Sequence, residues 1–188
     1  MNTTLIKFAQ AGFTLVELLI VVIILAILAA IVIPQFSSST TDTQESALDS
    51  DLVALRSAIE LFKVQHANTY PGGVATTGGT CTATKGTGAI NTAQAWMDHL
   101  LMASDAAGNT CSLSDATTFK YGPYVRKGIP PDPITGKGAA VAEIIATSTG
   151  AALAPAAATG GWAVDTQSGQ IVMNSNALDS KGKTYSTH

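Results

Sequence analysis

The chain has 188 residues, of which 46% are hydrophobic and 12% charged, and its 10 basic and 13 acidic side chains give a formal net charge of -3. A mean hydropathy of +0.28 with so little charge excludes a disordered chain. The acidic pI of about 5.5 excludes the basic surface of a protein that wraps nucleic acid, so no nucleic-acid partner is expected. Beyond the N-terminal helical region only about 120 residues remain, too few for a cofactor-binding fold of ordinary size.

Residues 1–12 have the pattern of a leader peptide. They contain one basic residue, Lys7, and no acid, and they end in Ala11 and Gly12 directly before an apolar run. In a secretory signal peptide the cleavage site follows the apolar core, whereas here the small-residue junction precedes it. Cleavage after Gly12 would therefore keep the hydrophobic helix in the mature chain.

The apolar run extends from Phe13 to Ile33 and is interrupted only by Thr14 and Glu17. As a helix that rises about 1.5 Å per residue, it would span about 32 Å, close to the hydrocarbon thickness of a bilayer. The run therefore predicts a single membrane-spanning helix. Lys7 would lie on the cytoplasmic side, and the polar bulk of the chain would lie on the other.

Glu17 is the residue that a simple membrane anchor does not explain. A carboxylate near the centre of a membrane helix costs about 2.5–3.5 kcal/mol and usually has a partner. After cleavage at Gly12, the free α-amino group of Phe13 on a neighbouring copy could pair with Glu17 and fix the register between copies. Alternatively, Glu17 lies in the headgroup zone and is stabilised by the N-terminus of its own helix. The residues alone leave both interpretations open.

The stretch from Gly12 to Leu19, G-F-T-L-V-E-L-L, followed by the apolar run and Pro34, resembles the class III signal of type IV pilins and type II secretion pseudopilins. The resemblance implies that a prepilin peptidase cuts after Gly12 and N-methylates Phe13, and that Glu17 serves filament assembly. It also implies a type IV pilin-like α+β fold, in which a long N-terminal helix packs on a small antiparallel β-sheet domain.

The chain after the apolar run predicts an amphipathic continuation of the helix. Pro34 lacks an amide hydrogen, so it is predicted to kink the helix where the run ends. Apolar residues then recur in steps of four, three, four and three, at Leu48, Leu52, Leu55, Ile59 and Phe62. This spacing predicts one stripe, which we expect to cover the protein's own sheet rather than a partner. Pro71 and two glycines, in the turn at 68–73, end the helix.

One short helix and three strands are predicted in the rest of the chain. Asn91 is predicted to cap the helix, with Gln94 at its third position. The apolar face of that helix comprises Trp96, Met97, Leu100 and Leu101. Strands are predicted at 141–145, 162–164 and 171–173, which form a small antiparallel sheet, with a hairpin turn at 165–169. The Ala/Gly-rich stretch 148–161 is predicted to be a loop, because Pro155 interrupts it.

Two later stretches extend the family resemblance. Residues 50–71 resemble the helix end of the major type II secretion pseudopilin more closely than that of a typical major pilus subunit. Residues 122–136 resemble the family's proline-rich connection between sheet elements. We therefore expect four segments, which are a leader (1–12), a transmembrane assembly helix (13–34), its amphipathic continuation (35–67) and a globular α+β domain (68–188).

The two cysteines, Cys81 and Cys111, lie in the part that a pilin-like topology places outside the cytoplasm. They are predicted to form a disulfide, and the loop of about 30 residues would constrain the unfolded chain by about 3–4 kcal/mol. Two unpaired buried thiols are the alternative.

No metal site is predicted with any strength. His66, His99 and His188 are far apart in the sequence, and no His or Cys pair has ligand spacing. Major pseudopilins resemble one another in an acidic C-terminal calcium loop, from which this chain departs. Asp165 and Asp179 are weak calcium candidates, and no other cofactor is expected.

Residues 177–184, A-L-D-S-K-G-K-T, fit a relaxed phosphate-loop pattern around Lys183. The sequence context does not fit a phosphate loop. Such a loop leads a strand into a helix, and only four residues, 185–188, follow here. The segment is predicted to be a frayed polar tail. No nucleophile elbow, paired-acid site or dinucleotide fingerprint is visible, so no enzymatic activity is expected.

These observations favour a structural subunit of a type II secretion pseudopilus, which polymerises through its N-terminal helix and supports protein export. A surface type IV pilin for adhesion, motility or DNA uptake is the alternative, which the cysteine pair and the missing acidic loop favour. A third hypothesis is an anchored binding module that never polymerises, in which Glu17→Ala would leave function intact.

The pilin-like hypotheses imply a common set of partners and a location. The expected partners are copies of the chain, other pilin-like subunits, prepilin peptidase, the inner-membrane assembly platform and membrane lipid. The expected location is the bacterial inner membrane, crossed once, with the C-terminal domain in the periplasm. A true pilin would instead reach the surface as a filament.

Overall fold

The computed structural model describes residues 13–188, except for the side chains of residues 31–38. The predicted leader, with Gly12, and the predicted kink at Pro34 lie outside this described part. The helices and strands in chain order are α1 (Leu15–Gln65), α2 (Ala93–Leu101), β1 (Ala103–Ser104), β2 (Thr110–Cys111), β3 (Ile144–Thr147), β4 (Trp162–Asp165) and β5 (Ile171–Met173). A long N-terminal helix followed by small sheets confirms the predicted α+β class.

The chain divides into two compact units, and the boundary falls within α1, after Thr41. The first unit contains the beginning of α1. The second unit runs from Asp42 to His188 and contains the end of α1, α2 and all five strands. Among the described residues, no helix combines the length and the apolar character that crossing a membrane requires.

The amphipathic stripe of α1 is buried in the second unit. None of its five residues is more than 1% exposed. Leu48, Leu52, Leu55 and Ile59 belong to one hydrophobic cluster with the sheet residues Trp162, Val164, Ile171 and Met173. The prediction that this stripe covers the protein's own sheet is therefore confirmed.

Strands β3, β4 and β5 form a sheet in that order, and the sheet is mixed. β4 and β5 are antiparallel, and the Gly169 amide donates to the Asp165 carbonyl at 2.8 Å in the predicted hairpin turn. β3 runs parallel to β4, with Ile144 opposite Trp162, so the antiparallel prediction does not hold for this pair. A parallel neighbour needs a crossover of about a dozen residues or more, and the loop at 148–161 is long enough to supply it.

Helix α2 begins one residue later than predicted. Thr92 rather than Asn91 is the N-cap, and its hydroxyl accepts a hydrogen bond from the Ala95 amide at 3.2 Å. Asn91 has a positive φ of 61°, and its side-chain oxygen accepts from the Thr166 hydroxyl at 2.8 Å. Both residue types are good caps, so the backbone conformation decides which one reaches the helix amides. Trp96 is buried, as predicted.

Candidate functional site

The start of α1 is held by reciprocal hydrogen bonds between Thr14 and Glu17. The Thr14 hydroxyl oxygen accepts from the Glu17 amide at 3.2 Å. In return, a Glu17 carboxylate oxygen accepts from the Thr14 amide and from the Thr14 hydroxyl, each at 3.0 Å. This arrangement is a capping box, which satisfies amide donors that the first turn of a helix leaves without an intrahelical acceptor.

The capping box gives Glu17 a structural role within a single chain. The carboxylate is held at the N-terminus of its own helix, which was one of the two interpretations of this residue. Pairing with the α-amino group of Phe13 involves a second copy, so it stays a prediction. The sequence signal for the box is the spacing Thr14-x-x-Glu17, which the sequence-based interpretations of Glu17 missed.

The first unit leaves its apolar side chains exposed. Phe13 is 80% exposed, and the Leu, Ile and Val side chains from Leu15 to Leu28 are all at least 49% exposed. They cover every side of the helix, whereas a helix on a soluble core shows an apolar stripe on one face. A contiguous apolar surface of this kind marks contact with lipid or with other proteins.

Cys81 and Cys111 form the predicted disulfide, with an S–S distance of 2.02 Å. Cys111 ends β2, which pairs antiparallel with β1, and it packs with Ala103 and Phe119 in a small second cluster. Strands β1 and β2 were not predicted from the sequence. At two residues each, these strands are too short to show an alternating pattern.

The two weak calcium candidates each organise a turn. Asp165 accepts hydrogen bonds from several donors, among them the Thr149 amide at 2.8 Å and the Ser168 amide at 2.7 Å. Burial acts to raise the pKa of Asp165, but these hydrogen bonds outweigh it and lower the pKa below its usual range. Asp179 accepts from the Lys181 and Lys183 amides at 2.8 and 2.6 Å. Within the described residues, no group of three His, Cys, Asp or Glu side chains could hold a metal ion.

Two of the three histidines, although distant in the sequence, meet on one aromatic ring. The His66 ring stacks on Phe62 at a centroid distance of 3.8 Å, and the His99 ring lies 4.7 Å from the same ring. His66 lies 2.8 Å from the Phe62 carbonyl and 3.0 Å from the Ser104 hydroxyl. His99 accepts from the Gly72 amide at 2.8 Å and lies 2.8 Å from the Gly108 carbonyl. His99 thus accepts once and faces one carbonyl acceptor, which is the pattern of a neutral imidazole, and the partners of His66 fit the same pattern because the Ser104 hydroxyl can donate.

The C-terminal segment is not the frayed tail that the sequence predicted. Ser180 donates from its amide and its hydroxyl to the Glu45 carboxylate of α1 at 2.8 and 2.7 Å. Tyr185 is buried, and Leu178 forms a β-bridge with Thr184. The residues of the phosphate-loop pattern therefore form a docked turn. The prediction failed because the partner, Glu45, lies 135 residues earlier in the chain.

The family model of the prokaryotic N-terminal methylation motif matches residues 7–33. Comparison with curated proteins and with solved structures gave no match. The matched stretch includes the capping box at Thr14 and Glu17 and the exposed apolar residues that follow it. This class III prepilin signal implies processing by prepilin peptidase and assembly into pilin-like filaments as a membrane-anchored or surface subunit. The N-terminal signal of this chain is that of the type IV pilin and pseudopilin family.

Proposed function

We propose that this chain is a structural subunit of a type II secretion pseudopilus, which polymerises through its N-terminal helix and supports protein export. The observation that carries the proposal is the apolar beginning of α1, exposed on every side and starting at a capping box within a prepilin signal. In this proposal residues 1–12 are the leader. Cleavage between Gly12 and Phe13 leaves Phe13 as the N-methylated terminus.

The exposed side chains of the first unit need an apolar environment both before and after assembly. Burying one large aliphatic side chain is worth about 1.5–3 kcal/mol, so water is a poor environment for this segment. We propose that residues 13–34 first lie across the bacterial inner membrane, with the C-terminal domain in the periplasm. During assembly the segment would exchange lipid for the helices of neighbouring copies. A head-to-tail contact of this kind does not close, and it therefore extends into a fibre.

The capping box leaves Glu17 able to form a contact with another subunit. A carboxylate can accept about four hydrogen bonds, and Thr14 supplies two of them. We propose that the α-amino group of Phe13 on a neighbouring copy supplies a further one once cleavage has created it. A pair of unit charges about 4 Å apart is worth about 4 kcal/mol at an intermediate dielectric. Such a pair fixes the axial register, which a uniform apolar helix cannot do.

The second unit supports the proposal by joining the helix to the globular part. Leu48, Leu52 and Leu55 of α1 pack into the same cluster as the sheet residues. The later part of α1, within the proposed continuation 35–67, is therefore a fixed component of the folded domain. A subunit held in a filament by its N-terminal segment would carry this domain, residues 68–188, with it.

Two observations bear on the choice between a pseudopilus and a surface pilus. The resemblance of residues 50–71 to the helix end of the major pseudopilin favours the pseudopilus. The absence of the acidic C-terminal calcium loop of major pseudopilins from the sequence favours the alternative, a surface type IV pilin. The disulfide between Cys81 and Cys111 fits both, because the periplasm and the cell surface are both oxidising. In both cases the proposed partners are other pilin-like subunits, prepilin peptidase and the inner-membrane assembly platform.

Mass spectrometry of the N-terminal peptide, taken separately from sheared surface material and from washed membranes, tests the proposal. A pseudopilus subunit should give a peptide that begins at methylated Phe13 and is confined to the membranes. The same peptide in the sheared material would favour the surface pilus. A leader still attached to Phe13 in both fractions would contradict processing and leave the anchored binding module.

The role of Glu17 is tested in the same cells by Glu17→Gln, which keeps the size and the hydrogen-bond acceptor but removes the charge. We expect processing at Phe13 to persist and filament assembly to be lost, because the charge pair between copies is missing. The matched control is Glu60→Gln, an exposed glutamate later on the same helix, which should still assemble. Normal filaments from Glu17→Gln would refute the proposed pair.

A further inference from the structure

The segment after β5 is held on α1 by hydrogen bonds to two charged side chains, Glu45 and Arg56. Residues 178–188 are called the strap here. Besides the two bonds from Ser180 to Glu45, the Arg56 guanidinium donates to the His188 carbonyl at 2.9 Å. The Tyr185 ring of the strap belongs to the main hydrophobic cluster. The strap is thus held in place at Ser180, at Tyr185 and at His188.

The His188 ring lies between two carboxylates. Nδ1 lies 2.8 Å from an Asp49 oxygen on α1, and Nε2 lies 3.2 Å from an Asp179 oxygen in the strap. Carboxylate oxygens only accept hydrogen bonds, so both contacts are hydrogen bonds only when both ring nitrogens carry a hydrogen. His66 and His99 differ, because each has one partner that can receive a hydrogen and one that can donate.

We propose that the strap is a proton-sensitive latch, which closes on α1 when His188 holds two ring hydrogens and loosens when it loses one. A neutral ring can donate to Asp49 or to Asp179, and it turns an unprotonated nitrogen toward the other carboxylate. Histidine is the side chain that ordinarily changes charge between about pH 5 and pH 8.

The surroundings of the ring contain further charges on both elements. The facing groups are Asp42, Glu45 and Asp49 on α1, and Asp179, Lys181 and Tyr185 on the strap. Hydrogen bonds from Ser180 lower the pKa of Glu45. Burial acts to raise the pKa of Asp179, but the bonds from the Lys183 and Lys181 amides outweigh it and lower that pKa. These lowered pKa values keep Glu45 and Asp179 ionised across the interval.

Opening of the latch has a consequence for packing. Tyr185 lies in the cluster that contains Leu48 and Ile171, so a strap that leaves α1 uncovers that edge of the core. Proton loss from His188 is thus coupled to exposure of part of the hydrophobic core of the second unit. This inference is independent of the proposed filament.

The test measures solvent exchange of strap amides by NMR in the full chain, held in detergent micelles, at pH 5.5 and pH 8.0. The reporters are the Ser180 and Lys183 amides, which donate to Glu45 and Asp179. After correction for the intrinsic pH dependence of exchange, we expect their protection to fall about tenfold at the higher pH, as for the loss of a charged hydrogen bond. The Thr118 amide, which donates to Asp115 outside the strap, should not change.

Two variants test whether the pH effect on strap protection comes from the His188 ring. His188→Phe keeps a ring but cannot titrate, so the difference between the two pH values should disappear. Asp49→Asn should keep the strap protected at pH 8.0, because the asparagine amide can donate to the unprotonated ring nitrogen. Equal protection at both pH values in the unaltered chain would overturn the proposal. Persistence of the pH effect in His188→Phe would do the same.

Discussion

Single aspartates organise the turns of the second unit. Each accepts hydrogen bonds from backbone amides two to four residues later, as is usual for this side chain in turns. The residues that do so are Asp105, Asp115, Asp132, Asp165 and Asp179. Bonds from Thr118 and Thr117 lower the pKa of Asp115 to about 2. Asp165 and Asp179, the two weak calcium candidates, therefore belong to a set of aspartates that stabilise loop backbone.

His99 makes the stability of the second unit depend on pH. Burial lowers the pKa of His99 to about 4, against the opposing hydrogen bond to the Gly108 carbonyl. The same ring in the unfolded chain titrates near pH 6.5. Between these values the unfolded chain binds a proton that the folded chain does not. The free energy of unfolding should therefore fall as the pH falls from about 6.5 toward 4, by at most about 1.4 kcal/mol per pH unit from this residue.

Urea unfolding of the full chain in detergent micelles at pH 7 and pH 5 checks this expectation. Burial also lowers the pKa of His66, so that ring acts in the same direction. His99→Gln should make the free energy of unfolding depend less on pH. The glutamine side chain can accept from the Gly72 amide and donate to the Gly108 carbonyl, but it does not titrate. An NMR titration of the His99 ring gives a direct second measurement. A ring that titrates near pH 6.5 in the folded chain would contradict the prediction.

At the scale of elements, α1 carries two sequence patterns in one helix. Up to Leu28 the exposed apolar side chains surround it, whereas from Leu48 to Phe62 the buried residues follow one stripe. Both patterns depend on residues within a few turns of each other, so the sequence alone predicted them. The start of α2 was misplaced by one residue because two adjacent side chains, Asn91 and Thr92, are both good caps.

The stripe predicts that alanine substitutions at two neighbouring positions of α1 differ sharply in their effect on the free energy of unfolding. Leu52→Ala should lower the free energy of unfolding by about 2–5 kcal/mol, because Leu52 is 1% exposed in the main cluster. Val53→Ala is the matched control, since Val53 is 61% exposed and should change stability by no more than about 0.5 kcal/mol. Urea unfolding of unassembled chain measures both. Similar effects at the two positions would mean that the stripe is not the buried face.

At the scale of the whole molecule, two long connections shape the second unit. The disulfide joins residues 30 positions apart and ties the segment after α1 to β2. The loop at 148–161 carries the chain from β3 to its parallel neighbour β4. The loop at 148–161 contains no helix or strand, whereas the segment between the two cysteines contains α2 and β1, and each connection determines which elements lie together.

Removal of the disulfide should destabilise the second unit. In Cys81→Ala/Cys111→Ala, we expect the free energy of unfolding to fall by about 3–4 kcal/mol, because the unfolded chain gains the freedom of the opened loop. Urea unfolding of this variant is compared with that of Thr82→Ala, an exposed neighbour of Cys81 that should unfold like the unaltered chain. Equal stability of the unaltered chain under oxidising and reducing conditions would contradict the prediction.

The sequence by itself determined the features that depend on nearby residues. These are the processing signal around Gly12 and Phe13, the stripe of α1 and the hairpin after Asp165. Tertiary structure alone decided the parallel placement of β3, the meeting of His66 and His99 on Phe62, and the docking of the strap on Glu45 and Asp49. The physical reason is range. Periodicity and turn chemistry act over a few residues, whereas these contacts join groups far apart in the chain, which only the packing of the core brings together.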